Sequence, residues 1–155
     1  MTADSASRAA CRAELASILD AALTGTVVEE VLSYPSDPVS KSPVIQLGSG
    51  GSARANSGIN DQRWKNVFRF ECMTFVRDAD TENGWTEADV ENALDAVDKE
   101  IADVIANNRV NSNWSYVGFS KDLSGDADMS EVLTDPTRGY KLEIRNIYVH
   151  YYEKG

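Results

Sequence analysis

The chain has 155 residues, with 42% hydrophobic and 26% charged side chains and a formal net charge of −10, the size and composition of one globular domain spanning residues 1–155. A sequence pI of about 4.5 argues against sequence-independent binding to DNA or RNA, which relies on Lys and Arg neutralising phosphates. No apolar run approaches the ~20 residues of a membrane-spanning helix, and MTADSASRAACRAEL lacks the apolar core of a secretory signal; no membrane partner and a cytoplasmic site of folding are expected.

In chain order, the first predicted element is a helix over about residues 5–23. Cys11, Leu15, Ile18, Leu19, Ala22 and Leu23 recur at helical spacing, with Asp4 or Ser5 as cap and Gly25 just past the end. The β-branched run Thr26–Ser33 predicts a strand. Pro35 and Pro38 mark a turn, and Pro43–Leu47 predicts a second short strand. Gly48–Asp61 (GSGGSARANSGIND) is poor in large apolar residues and is predicted to be a mobile loop.

From Trp64 to Arg77 the pattern alternates. Trp64, Phe68, Phe70, Cys72 and Val76 share an inward face, and Lys65, Arg69, Glu71 and Arg77 share a charged one. Thr86 and Asp89 have the spacing of a capping box, and Val90, Leu94, Val97, Ile101, Val104 and Ile105 form the apolar stripe of a second helix ending near Asn107–Asn108. Trp114–Phe119 predicts a strand. Lys121–Arg138 predicts a loop with a short strand near Met129–Leu133, and Tyr140–Tyr152 a closing strand with Tyr140, Leu142, Ile144, Tyr148 and Tyr152 on one side. The expected fold is α+β, order α-β-β-β-α-β-β, with a mixed or antiparallel sheet and both helices on one face.

Charge is segregated along this order. Asp78, Asp80, Glu82, Glu87, Asp89, Glu91, Asp95, Asp98, Glu100 and Asp103 are opposed within their stretch by Lys99 alone, whereas Arg54, Arg63, Lys65, Arg69 and Arg77 precede it and Arg138, Lys141, Arg145 and Lys154 follow. Such a helix face reads as a solvated surface, a subunit interface against basic strands, or a channel wall that repels DNA.

Candidate chemistry is sparse. Asp78-x-Asp80-x-Glu82 with Asp89 imitates part of a calcium loop, but Asn83 stands where the sharp turn needs Gly and a strand precedes it. Gly48-Ser-Gly-Gly-Ser lacks the Gly-Lys-Ser/Thr ending of a phosphate-binding loop. His150 is the one histidine and reads as structural; Cys11 and Cys72 read as reduced core thiols; Asn113-Trp-Ser matches a glycosylation acceptor without a secretory route. No catalytic residue, metal ligand or cofactor is expected.

The runs LTGTVVEEVLSY (Leu23–Tyr34), KSPVIQLGSGGSAR (Lys41–Arg54), FRFECMTFVR (Phe68–Arg77), GWTEADVENALDAVDKEIADVIANN (Gly84–Asn108) and YKLEIRNIYVHYYE (Tyr140–Glu153) resemble the tail-terminator proteins of long-tailed bacteriophages. The resemblance covers most of the chain and lies in element order and texture. It implies a virion protein, assembled in the host cytoplasm, that forms a homohexameric ring at the head-proximal end of the tail tube. Such a ring ends tube polymerisation and joins the tail to a head-completion or connector protein, while DNA passes through without specific binding.

The candidates for the subunit and tail interface are Arg54, Arg63, Trp64, Arg69, Arg77, Asp78, Asp80 and Glu82, with the Gly48–Asp61 loop as the docking element. The acidic segment Lys121–Arg138 is longer than the resemblance leads one to expect. Other readings are a related neck or minor tail protein, an acidic DNA mimic occupying another protein's DNA-binding site, and, last, a small enzyme.

Overall fold

The computed structural model describes residues 7–37, 41–58, 61–122 and 125–152, and for 55–58 and 61–64 it describes the backbone. The protein is α+β: helices α1 (Arg8–Leu23) and α2 (Glu87–Asn107) accompany strands β1 (Glu30–Leu32), β2 (Val44–Gly58), β3 (Asp61–Arg77), β4 (Tyr116–Gly118), β5 (Glu131–Asp135) and β6 (Tyr140–Tyr152). These six strands make one curled mixed sheet in the order β1-β2-β3-β6-β4, with β5 also on β6. β1 runs parallel to β2, and every other pairing is antiparallel. The sheet therefore exceeds the expected one by β5, which forms because Glu131–Asp135 pairs with Tyr140–Ile144 across a turn whose Gly139 sits at φ 78°.

The largest correction concerns Gly48–Asp61. Instead of a mobile loop, β2 continues through it and pairs with β3 as far as Gly58↔Asp61, with register shifts between Ser49 and Gly51 and between Asn56 and Gly58. Residues 59–60 lie outside the described residues. The physical reason is that ladder bonds need backbone rather than large side chains, and β3 supplies a long regular template. At Gly48 a Cβ would stand 3.3 Å from the Pro35 ring, and at Gly50 it would stand 2.7 Å from Arg69 Nε. Glycine here makes room for side chains that cross the strand. The rungs Asn56↔Trp64 and Gly58↔Asp61 have no third strand beside them among the described residues, so the tip of the hairpin forms a two-stranded arm.

Helix α1 starts later than expected, with Ser7 rather than Asp4 or Ser5 as cap; its hydroxyl accepts from Ala10 N at 3.2 Å. Residues 1–6 lie outside the described residues. The predicted strand Thr26–Ser33 shrinks to Glu30–Leu32, because residues 24–28 turn tightly onto the end of α1: the amides of Thr26, Val27 and Val28 all donate to Leu23 O. Helix α2 matches the sequence closely. Thr86 caps it in a reciprocal capping box with Asp89, and all six predicted stripe residues are buried.

One hydrophobic cluster joins Leu15, Leu19 and Leu23 of α1, Val97, Ile101 and Ile105 of α2, and Ile45, Leu47, Phe68, Phe70, Cys72, Ile147 and Val149 of the sheet. A smaller cluster of Val76, Val90 and Leu94 extends it under the start of α2. In β6 the residues given to the helices are the odd-numbered Ile147 and Val149, while Tyr140, Leu142, Ile144 and Tyr148 share the opposite face with Phe75, Met73 and Arg69.

Candidate functional site

Two charged regions arise from this architecture. The first is the seam between α2 and β6. Lys141 and Arg145, four residues apart on a strand, span about 13 Å. Glu91 and Asp98, seven apart on a helix, span about 10 Å. The two spacings match, and the side chains pair as Lys141–Glu91 and Arg145–Asp98. Arg145 also lies 3.5 Å from Glu143 and 5.4 Å from the Phe119 ring centroid. Glu91 first, by its hydrogen bond, raises the Lys141 pKa.

The acidic helix was expected to find its basic complement on β3 of another copy. Two of its carboxylates find it on β6 of the same chain, and Lys99–Asp103 adds an i,i+4 pair along the helix at 3.1 Å. Period-2 reading of Lys141 and Arg145 against seven-residue spacing on α2 would have shown this complementarity.

The second region is a cleft of about 500 Å³ beside the hairpin, lined by Gly50–Arg54 of β2, by Lys65, Val67 and Arg69 of β3, by Tyr148, and by Lys121 and Asp122 from the segment after β4. Arg69 folds across β2 at Gly50, donating from Nη2 to Gly50 O at 2.5 Å. Arg54 lies 5.0 Å over the Phe68 ring and donates to Asn66 Oδ1 at 3.3 Å. Lys65 Nζ stands 5.9 Å from the Tyr152 ring centroid. Among the described residues none of Arg54, Lys65, Arg69 and Lys121 is within ion-pair distance of a carboxylate.

Behind the cleft, the segment after β4 is tied to the sheet. Asp128 accepts from Tyr148 Oη at 2.5 Å and from Asn146 Nδ2 at 3.2 Å, and these bonds hold its carboxyl below the usual range. Desolvation, then the Asp128 bond, raises the Tyr148 phenol. His150, 1% exposed, lies edge-on to Tyr116 with Nε2 3.4 Å from Ser120 O, while its Nδ1 has no partner. Desolvation lowers its pKa, with Lys65 acting in the same direction. Both cysteines are buried free thiols; burial pushes Cys72 up to about 12 and also raises Cys11.

The eight candidate residues fall in two groups at opposite ends of β3. Arg54 and Arg69 both border the cleft, but their guanidinium groups lie on opposite faces of the sheet, Arg54 over Phe68 and Arg69 on Gly50 O. Arg63 and Trp64 belong to the β3 arm, and their side chains lie outside the described residues. Some 26 Å along the strand from Arg69, Arg77 and Asp80 line a second hollow of about 290 Å³ with Ser42, Asn83 and Trp85. There the Arg77 amide donates to Ser42 Oγ at 2.9 Å, Trp85 Nε1 donates to Arg77 O at 2.9 Å, and Asp80 accepts from Asn83 Nδ2 at 2.5 Å. Asp78 donates its amide to Gly139 O, and Glu82 sits in the 3-10 turn Thr81–Asn83. Lys121 was missed as a member of the cleft, because only the return of the chain after β4 brings it to residues some fifty positions earlier. Compared with known protein families and curated sequences, the chain matches no family model and no curated protein.

Proposed function

We propose that this protein is a structural virion component: a ring-forming tail terminator that caps the head-proximal end of a phage tail tube and meets a head-completion protein on its other face. The observation that carries the reading is the hairpin arm at the tip of β2 and β3, which among the described residues extends past the neighbouring strands, within a chain whose element order resembles that family. A preformed arm docks on a neighbouring subunit or a tube edge at lower entropic cost than a loop that must order on contact. Further support comes from the sheet face opposite the core cluster, where Met73, Phe75, Leu142 and Ile144 remain half-buried and Leu133 is exposed, apolar area suited to an interface. In this reading both helices back a single sheet face, the arm and Arg54 meet the adjoining ring, and the Arg77–Glu82 end meets a neighbouring subunit.

The alternative of an acidic DNA mimic is weakened by the α2–β6 seam, where Lys141 and Arg145 neutralise part of the helix's charge. A tail-assembly reaction tests the proposal. Tube protein polymerised with the chain should stop at uniform length, and a chain shortened across residues 55–64 should leave tubes overlong while still melting cooperatively. Uniform tubes with the shortened chain would place docking elsewhere, and tubes indifferent to the full chain would overturn the reading.

A further inference from the structure

We propose that the cleft between the hairpin and the segment after β4 is a binding site for a compact polyphosphate-type anion. The inference stands apart from ring formation, since it concerns one subunit's own surface.

Lys65 and Arg69 of β3 and Lys121 of the segment after β4 converge on one hollow, with Asp122 the carboxylate among its lining residues, while Arg54 borders it with its guanidinium on the other face of the sheet, over Phe68. Bringing three cations together with no carboxylate within ion-pair distance among the described residues costs free energy through mutual repulsion, and a bound polyanion removes that cost. The contrast with Lys141 and Arg145, both paired to α2, shows that this fold places carboxylates against cations elsewhere. The floor is built for close approach. Gly50 lacks the Cβ that would collide with Arg69, and Gly51, at φ 146°, adopts a conformation that favours glycine. The Arg69 guanidinium fork suits the oxygens of a phosphate group, and the Lys65 and Lys121 ammonium groups add point charges around it.

The volume of about 500 Å³ lies in the range of small-ligand sites. A long nucleic-acid strand fits less well, since it would extend beyond the cleft over a chain of net charge −10. Asp122 on the rim and Asp128 near Arg69 offset part of the cleft's charge, and the attraction left by Lys65, Arg69 and Lys121 grows with the number of negative groups on the ligand.

The test is calorimetric titration of the intact chain with sodium tripolyphosphate at low ionic strength. Saturable binding is expected, weakening as salt rises. The exposed pair Arg69→Gln, Lys121→Gln should weaken it at least roughly tenfold without moving the melting temperature of the free protein, whereas Arg8→Gln, Arg109→Gln, removing equal charge elsewhere, should leave it unchanged. If the first variant melts early, Lys65→Gln must show the loss in its place. Absence of saturation at millimolar tripolyphosphate, or equal loss in both double variants, overturns the site. Tighter binding of a single-stranded oligonucleotide at equal phosphate concentration overturns the compact-anion assignment.

Discussion

The α2–β6 seam and the hairpin cleft are built from the same kinds of side chain and solve opposite problems. In the seam, basic residues on a strand face carboxylates on a helix already held in place by buried Val90, Leu94, Val97 and Ile101, so the ion pairs follow the packing. In the cleft, basic residues from β3 and the segment after β4 meet beside the small residues of β2, and among the described residues none of its lining comes from a helix. The seam's charges set the register of one element on another. The cleft's charges have no carboxylate within ion-pair distance among the described residues.

Breaking the seam at its packing should have the largest effect. Leu94 is 4% exposed between α2 and the sheet, so Leu94→Ala should cost roughly 2–5 kcal/mol in chemical denaturation. Substituting Asp95, exposed on the other side of the helix, by Ala should cost under about 0.5 kcal/mol. Next comes the helix start. Thr86→Ala removes the hydroxyl that accepts from Asp89 N at 3.2 Å and should cost about 1 kcal/mol.

His150 lies behind the cleft and supplies a pH dependence. Its folded pKa is depressed by burial, so the native state resists protonation while the unfolded chain takes it up near pH 6.5. Stability is thus full above about pH 6.5 and declines as pH falls toward the lower folded pKa. His150→Gln should flatten melting temperature against pH in that window. Asp128, also depressed, adds its own loss at more acidic pH. The smallest effect is the ion pair itself: a double-mutant cycle on Asp98 and Arg145, both partly exposed, should return a coupling of about 0–1 kcal/mol.

Legibility from sequence divided along the same lines as the two regions. The helix α2, its cap, its buried stripe and the inward Phe68, Phe70, Cys72 and Val76 of β3 were readable, because each is a local periodicity. The start of β2, predicted as Pro43–Leu47, was readable too, but its continuation to Gly58 was not. A stretch made of Gly, Ser and Ala carries no alternation, and its order comes from β3, whose pattern reveals only itself. The candidate site was half-readable for a related reason. Arg54 and Arg69 stand out as charged residues in the sequence, but which sheet face each takes, and the meeting of Arg69 with Lys121, depend on topology, as does the pairing of α2 with β6.

Native mass spectrometry of the purified 17.0 kDa chain at physiological ionic strength, read beside negative-stain images, tests the central claim most directly. The account predicts closed hexameric rings. A species that stays monomeric at every concentration up to the millimolar range, with no rings in the images, would contradict it.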